Sequence, residues 1–203
     1  MSYDENRISD QIDGGLMSEK EQWELEMGRI IMGEPINKNE INSPVLLSHH
    51  NLVEISYKWL IKRCGFAFKE LRSLSSECPD VLGFRSCESI LIECKISRSD
   101  FLSDKNKPFR KVSSNGMGNY RLYCCPKGLI KKEELPEKWG LIYVNEFGKA
   151  TLVHNCFNNK GGNMYLEDNR FEANTKEEMY MLYAALRRLH IRGRIDEIYD
   201  MEI

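Results

Sequence analysis

Three observations predict a mixed α/β protein. Helical periodicity brackets residues 43–203, short apolar segments of strand character lie between those helices, and the charge changes sign where this part of the chain begins. The 203-residue chain is 41% apolar and 30% charged, which excludes global disorder. No apolar run reaches the roughly 18–20 residues of a membrane span. The acidic beginning lacks the basic and apolar regions of a signal peptide, so a cytoplasmic location is expected. Seven cysteines form no CxxC pair, and an odd number of thiols without a secretion signal predicts reduced side chains.

Residues 1–42 carry ten acidic and four basic side chains, whereas residues 43–145 carry seventeen basic and eleven acidic ones. The chain therefore divides into an acidic N-terminal arm, 1–42, and a domain, 43–203, with a basic middle suited to a polyanion. Within the arm, Trp23, Met27 and Ile30 have helical spacing before Gly33 and Pro35. Three roles fit it: a docking helix, an arm for a homodimer or other protein partner, and a partly disordered tail.

The domain opens with a helix over Asn51 to Cys64, carrying apolar stripes Leu52/Ile55/Trp59/Leu60 and Val53/Tyr57/Ile61 and stopped by Gly65. Phe66 to Leu71 reads as a strand, Ser75 to Asp80 as a turn, and Ser89 to Lys95 as a strand. Residues 97–111 are basic with helical stretches, and 115–119 form a loop. Tyr120 to Cys125, Leu141 to Asn145 and Ala150 to Val153 are strands, with a short helix over Lys131 to Leu135. After an Asn/Gly-rich loop at 155–175, Thr175 to Arg192 forms a closing helix with Met179, Leu182/Tyr183, Leu186 and Leu189 inward.

The chemistry concentrates in Pro79-Asp80, twelve intervening residues, then Glu93-Cys94-Lys95. Alternation along the strand puts Glu93 and Lys95 on the face of Leu91, opposite Ile90, Ile92 and Cys94. Burying such charges costs several kcal/mol each unless they are paired or bind a metal. Asp80 and Glu93 supply two carboxylates and Cys94 a backbone carbonyl, a hard oxygen set for Mg²⁺ or Mn²⁺. Lys95 would hold or deprotonate an attacking water. A surface salt-bridge cluster explains the same short triplet without catalysis.

This pattern resembles the PD-(D/E)xK, restriction-endonuclease-like nuclease superfamily. A longer string is similar to MmcB-like DNA-repair proteins and related phage proteins: Pro79-Asp80-Val81-Leu82-Gly83, Ile92-Glu93-Cys94-Lys95, Ser97 to Phe101, Asp104-Lys105, Lys107 to Arg110, Gly118 to Arg121, Pro126 to Leu129 and Leu135 to Leu141. The resemblance spans roughly residues 48–150. It implies a restriction-endonuclease-like mixed central sheet flanked by helices and metal-dependent phosphodiester hydrolysis. Asp80 and Glu93 match its metal-binding acids, and Lys95 its catalytic lysine. A further acid often comes from the first core helix; Glu54 is the candidate, with Glu70 as the alternative. The implied setting is DNA repair, recombination or phage–host conflict in a bacterial or phage-infected cell. Arg98, Lys105, Lys107, Arg110, Lys111 and Arg121 are the expected nucleic-acid contacts. A non-catalytic nuclease-fold protein that binds nucleic acid or a protein partner is the competing reading.

Overall fold

A computed structural model describes residues 47–157 and 169–199. Ser48 caps the first helix, α1 (His49–Ile61), by accepting a hydrogen bond from the Asn51 amide. The chain then forms β1 (Phe66–Lys69), β2 (Val81–Arg85), β3 (Glu88–Cys94), α2 (Arg98–Asp104), α3 (Pro108–Lys111), β4 (Tyr120–Pro126), β5 (Gly140–Val144), β6 (Ala150–His154) and α4 (Thr175–Ile191). A 3₁₀ turn at Lys132–Glu134 takes the place of the short helix expected at 131–135.

The six strands form one sheet in chain order. β1, β2 and β3 make an antiparallel meander; β3–β4 and β4–β5 are parallel, and β6 returns antiparallel to β5. Helices α2 and α3 lie in the crossover that parallel β3 and β4 require. Alternation sends Ile90, Ile92 and Cys94 to the face covered by Leu52, Val53, Trp59 and Leu60 of α1. Leu82, Leu91 and Tyr123 occupy the other face with Phe101 of α2 and Met181 of α4. Helix α1 sits so close to β2 that a Cβ on Gly83 would stand 2.8 Å from Leu60 and Cys64. The sheet is thus flanked by helices on both faces.

Two features differ from the sequence reading. The segment following Asp80, to which periodicity assigns no element, is a strand, β2. Helix α4 turns Glu178 and Met181 inward, leaving Met179, Tyr183 and Leu186 exposed. Glu178 accepts hydrogen bonds from Ser89 Oγ (2.6 Å) and the Gly118 amide (2.9 Å), and these buried donors fix the helix rotation.

All seven cysteines are free. Among the described residues no helix is long and apolar enough to cross a membrane. The described residues belong to the compact unit Pro44–Ile203. The acidic arm, 1–42, and the middle of the 155–175 loop lie outside the described residues.

Candidate active site

Pairing of β2 with β3 creates the site. Val81 opposes Ile92, so continuing that antiparallel register by one residue brings Asp80 alongside Glu93. The Asp80 Oδ2 accepts a hydrogen bond from the Cys94 amide at 2.7 Å, fixing the carboxylate against the end of β3. Glu70 follows β1 in the left-handed backbone region, φ 45°, and its amide bonds the Asp80 carbonyl at 2.9 Å. That turn carries the Glu70 carboxylate to the same sheet end.

His49, at the start of α1, reaches Asp80 Oδ1 with Nε2 at 3.4 Å, while its Nδ1 lies 3.9 Å from Glu70 Oε1. One ligand atom from each of His49, Glu70 and Asp80 lies within 4.8 Å of the others. Glu54, expected to be the helix-borne acid, is instead engaged by the Lys69 ammonium. The side chains beside Asp80 are therefore His49 and the alternative acid, Glu70. His49 carries only a weak sequence signal, because an adjacent His pair before a helix is more often a surface feature than a ligand pair.

Glu93 and Lys95 do project from the same strand face, as alternation requires, and each side chain is only 3% exposed. Their charged atoms are 3.2 Å apart. Lys95 also lies 2.9 Å from Asp104, a fully buried carboxylate on the last residue of α2. Asp104 further receives Lys107 at 2.8 Å, Arg110 at 3.2 Å and the Tyr123 hydroxyl at 2.7 Å. Glu93 is shared by Lys95, Lys107 and Arg110, and Arg110 reaches the buried Glu77 at 2.5 Å. Glu77, Glu93 and Asp104 thus balance Lys95, Lys107 and Arg110.

That network corrects part of the expected basic face. Arg110 has a side chain only 5% exposed, and Lys107 is committed to Glu93 and Asp104. Arg121 is buried and donates to the carbonyls of Gly118, Ser113 and Gly116. Arg98 makes a two-armed pair with Glu134, at 2.6 and 2.7 Å. Lys105 and Lys111 are exposed. The run reads as a basic surface in sequence because two of its buried carboxylate partners, Glu77 and Glu93, come from distant segments. Glu77 carries no sequence signal for this role, whereas Asp104 lies within the run and pairs there with Lys107 and Arg110.

The two sides of the site have opposite electrostatics. Burial, followed by the neighbouring Glu93 charge, pushes Asp80 up to about 6, against the pull of the Cys94 amide, His49 and Lys95. Burial also pushes Asp104 upward, but Lys95, Lys107 and Arg110 outweigh it and hold that carboxyl well below the usual range. For Lys95, burial favours the neutral amine, yet Glu93 and Asp104 outweigh it and raise the ammonium above its ordinary value. Lys95 is a cation here, suited to orienting a water or stabilising negative charge rather than removing a proton. Asp80, by contrast, is a carboxylate short of positive charge.

No family model and no curated protein matches the chain. A similar solved structure is the SPO1766 protein of unknown function from Silicibacter pomeroyi, at 20% identity and a TM-score of 0.47, covering 77% of this chain and 94% of that one.

Proposed function

We propose that this chain is a metal-dependent DNA nuclease with a restriction-endonuclease-like fold of the PD-(D/E)xK type. The observation that carries the reading is Asp80 fixed beside Glu93 and Lys95, with too little positive charge of its own and with Glu70 and His49 at hand. Support also comes from the antiparallel β1–β3 meander, the helical crossover and the parallel β4, which place these groups at strand ends beside a helix.

The donor set fits a divalent cation: two carboxylates suit Mg²⁺ or Mn²⁺, and the imidazole favours Mn²⁺ of the two. Asp80, Glu70 and His49 would hold it, and Glu93 would add to the field around it. When bound, such an ion polarises a phosphate oxygen and acidifies a coordinated water. Lys95 contributes a fixed positive charge beside Glu93, available to a water or to the charge that develops on phosphate. Asp104 holds the lysine in place, and Tyr123 and Arg110 hold Asp104.

A second reading has its own observation. Glu93 and Lys95 sit in a charge-balanced buried network, as they would in a non-catalytic nuclease-fold protein that binds nucleic acid or a protein partner. The test is cleavage of single-stranded, duplex and branched DNA in Mg²⁺, Mn²⁺ or EDTA, alongside Asp80→Asn. The nuclease reading expects metal-dependent cutting, better in Mn²⁺, that disappears in the variant. Folded protein that cuts none of these substrates, or equal cutting by the variant, would transfer the weight to the binding reading.

A further inference from the structure

A cavity of about 460 Å³ opens on the α2 and α4 face of the sheet, next to the charge network. Its size falls in the range of small-molecule sites. Two guanidinium groups form its buried side, Arg110 and Arg121. Arg121 gives its Nε and Nη2 hydrogens to main-chain carbonyls, and no carboxylate among the described residues pairs with it. Burial, followed by the Arg110 charge, lowers Arg121 to about 10, against the opposing pull of the more distant Glu77 and Glu178 carboxylates. The Nη2 of Arg110 is buried without a hydrogen-bond acceptor, although Glu93 Oε1 lies 3.2 Å away.

The more open side of the cavity carries Lys105, Lys138 and Arg170 against two acids, Glu137 and Glu172. With Arg110 balanced by Glu77, Glu93 and Asp104, the lining still carries Arg121, Lys105, Lys138 and Arg170 against two acids, Arg170 lying 3.9 Å from Glu88, in a chain whose net charge is −2. Lys138 occupies the left-handed backbone region, φ 66°, which costs energy for any residue other than glycine and recurs at ligand sites. The walls are aromatic: Trp139 stacks on Tyr123 with centroids 4.3 Å apart, and the Phe171 ring lies 4.3 Å from the Arg121 guanidinium. Buried guanidiniums recognise phosphate oxygens, whereas aromatic walls accept a planar base.

We infer that this cavity is a binding site for a phosphorylated nucleoside, with the phosphate directed to Arg121, Lys138 and Arg170 and the base to the aromatic walls. The ligand is either a free nucleotide or the phosphorylated end of a nucleic-acid strand. The inference stands on the cavity and needs neither the metal nor cleavage.

Calorimetric titration in EDTA tests it without involving the candidate metal site. The probes are adenosine 5′-monophosphate, inorganic phosphate, and one oligonucleotide with either a 5′-phosphate or a 5′-hydroxyl. The expected result is saturable binding, one ligand per chain, by the mononucleotide or by the phosphorylated oligonucleotide, and the stronger of the two identifies the source. Lys138→Gly with Arg170→Ala should weaken that binding about tenfold. Glycine suits the backbone at 138, so this pair does not sacrifice the fold. Lys127→Ala with Lys149→Ala removes the same formal charge from exposed positions outside the cavity and should change affinity less than about twofold. Absence of saturable binding, equal losses in both double variants, or phosphate binding as tight as the nucleotides would overturn the inference.

Discussion

Replacing Asp104 by Asn tests whether the buried network, rather than generic packing, holds Lys95 in place. Asp104 is fully buried and faces Lys95 at 2.9 Å, Lys107 at 2.8 Å, Arg110 at 3.2 Å and the Tyr123 hydroxyl at 2.7 Å. The amide keeps the shape but removes the charge, leaving three cations around two carboxylates. Breaking one partner of a buried ion pair costs about 3–5 kcal/mol, a large share of the roughly 5–15 kcal/mol that stabilises a typical domain. Urea unfolding at pH 7 should show that loss with an unchanged slope. The pH dependence has a defined sign: because the folded-state pKa is depressed, the stabilisation is complete above the unfolded value of about 4 and fades as pH falls below it. The difference between the two proteins should therefore be constant from pH 7 to 5 and narrow in more acidic solution. Asp100→Asn is the control, since its half-exposed carboxylate lies 3.8 Å from Lys95 and should contribute under about 1 kcal/mol. A loss below about 1 kcal/mol for Asp104→Asn, or a gap that widens as pH falls, would show that packing rather than the buried charge network holds Lys95.

The opposite response is expected at Asp80. In EDTA at pH 8, Asp80→Asn should stabilise the fold by about 1–3 kcal/mol, because the folded carboxyl, at about 6, resists ionisation. Its cost is absent below pH 4 and grows as pH rises through about 6, so urea midpoints of the two proteins should separate across that interval. At Gly118, with φ +84°, an added Cβ would meet Leu91 Cβ at 2.6 Å and the Tyr120 carbonyl at 3.0 Å. Gly118→Ala should cost about 2 kcal/mol or more in thermal or urea unfolding, and a neutral effect would show that the loop before β4 relaxes freely.

Much of this architecture is legible from periodicity, and its failures have local causes. β3 reads clearly because seven residues of strand character end in charged groups, and its alternation places Glu93 and Lys95 on one face. β2 escapes notice because its first three residues are all buried, erasing alternation, and Gly83 lies at its centre. The rotation of α4 follows a buried Glu178 bonded to Ser89 and Gly118, a tertiary contact that outweighs the helix's own apolar stripe. In the site, Asp80, Glu93 and Lys95 are recoverable from spacing, whereas Glu77 and Asp104 acquire their roles through Arg110 and Lys95 only after folding. Glu70 and His49 meet Asp80 through a left-handed turn and a helix start, neither of which a short motif encodes.

The proposed nuclease activity makes Asp80 the anchor for a divalent cation. Titration of the full chain with Mn²⁺, followed by the loss of the free-ion electron paramagnetic resonance signal, tests it most directly. One Mn²⁺ should bind per chain, with binding strongly weakened in Asp80→Asn and retained in Glu54→Gln. No saturable Mn²⁺ binding, or binding unaffected by Asp80→Asn, would contradict it.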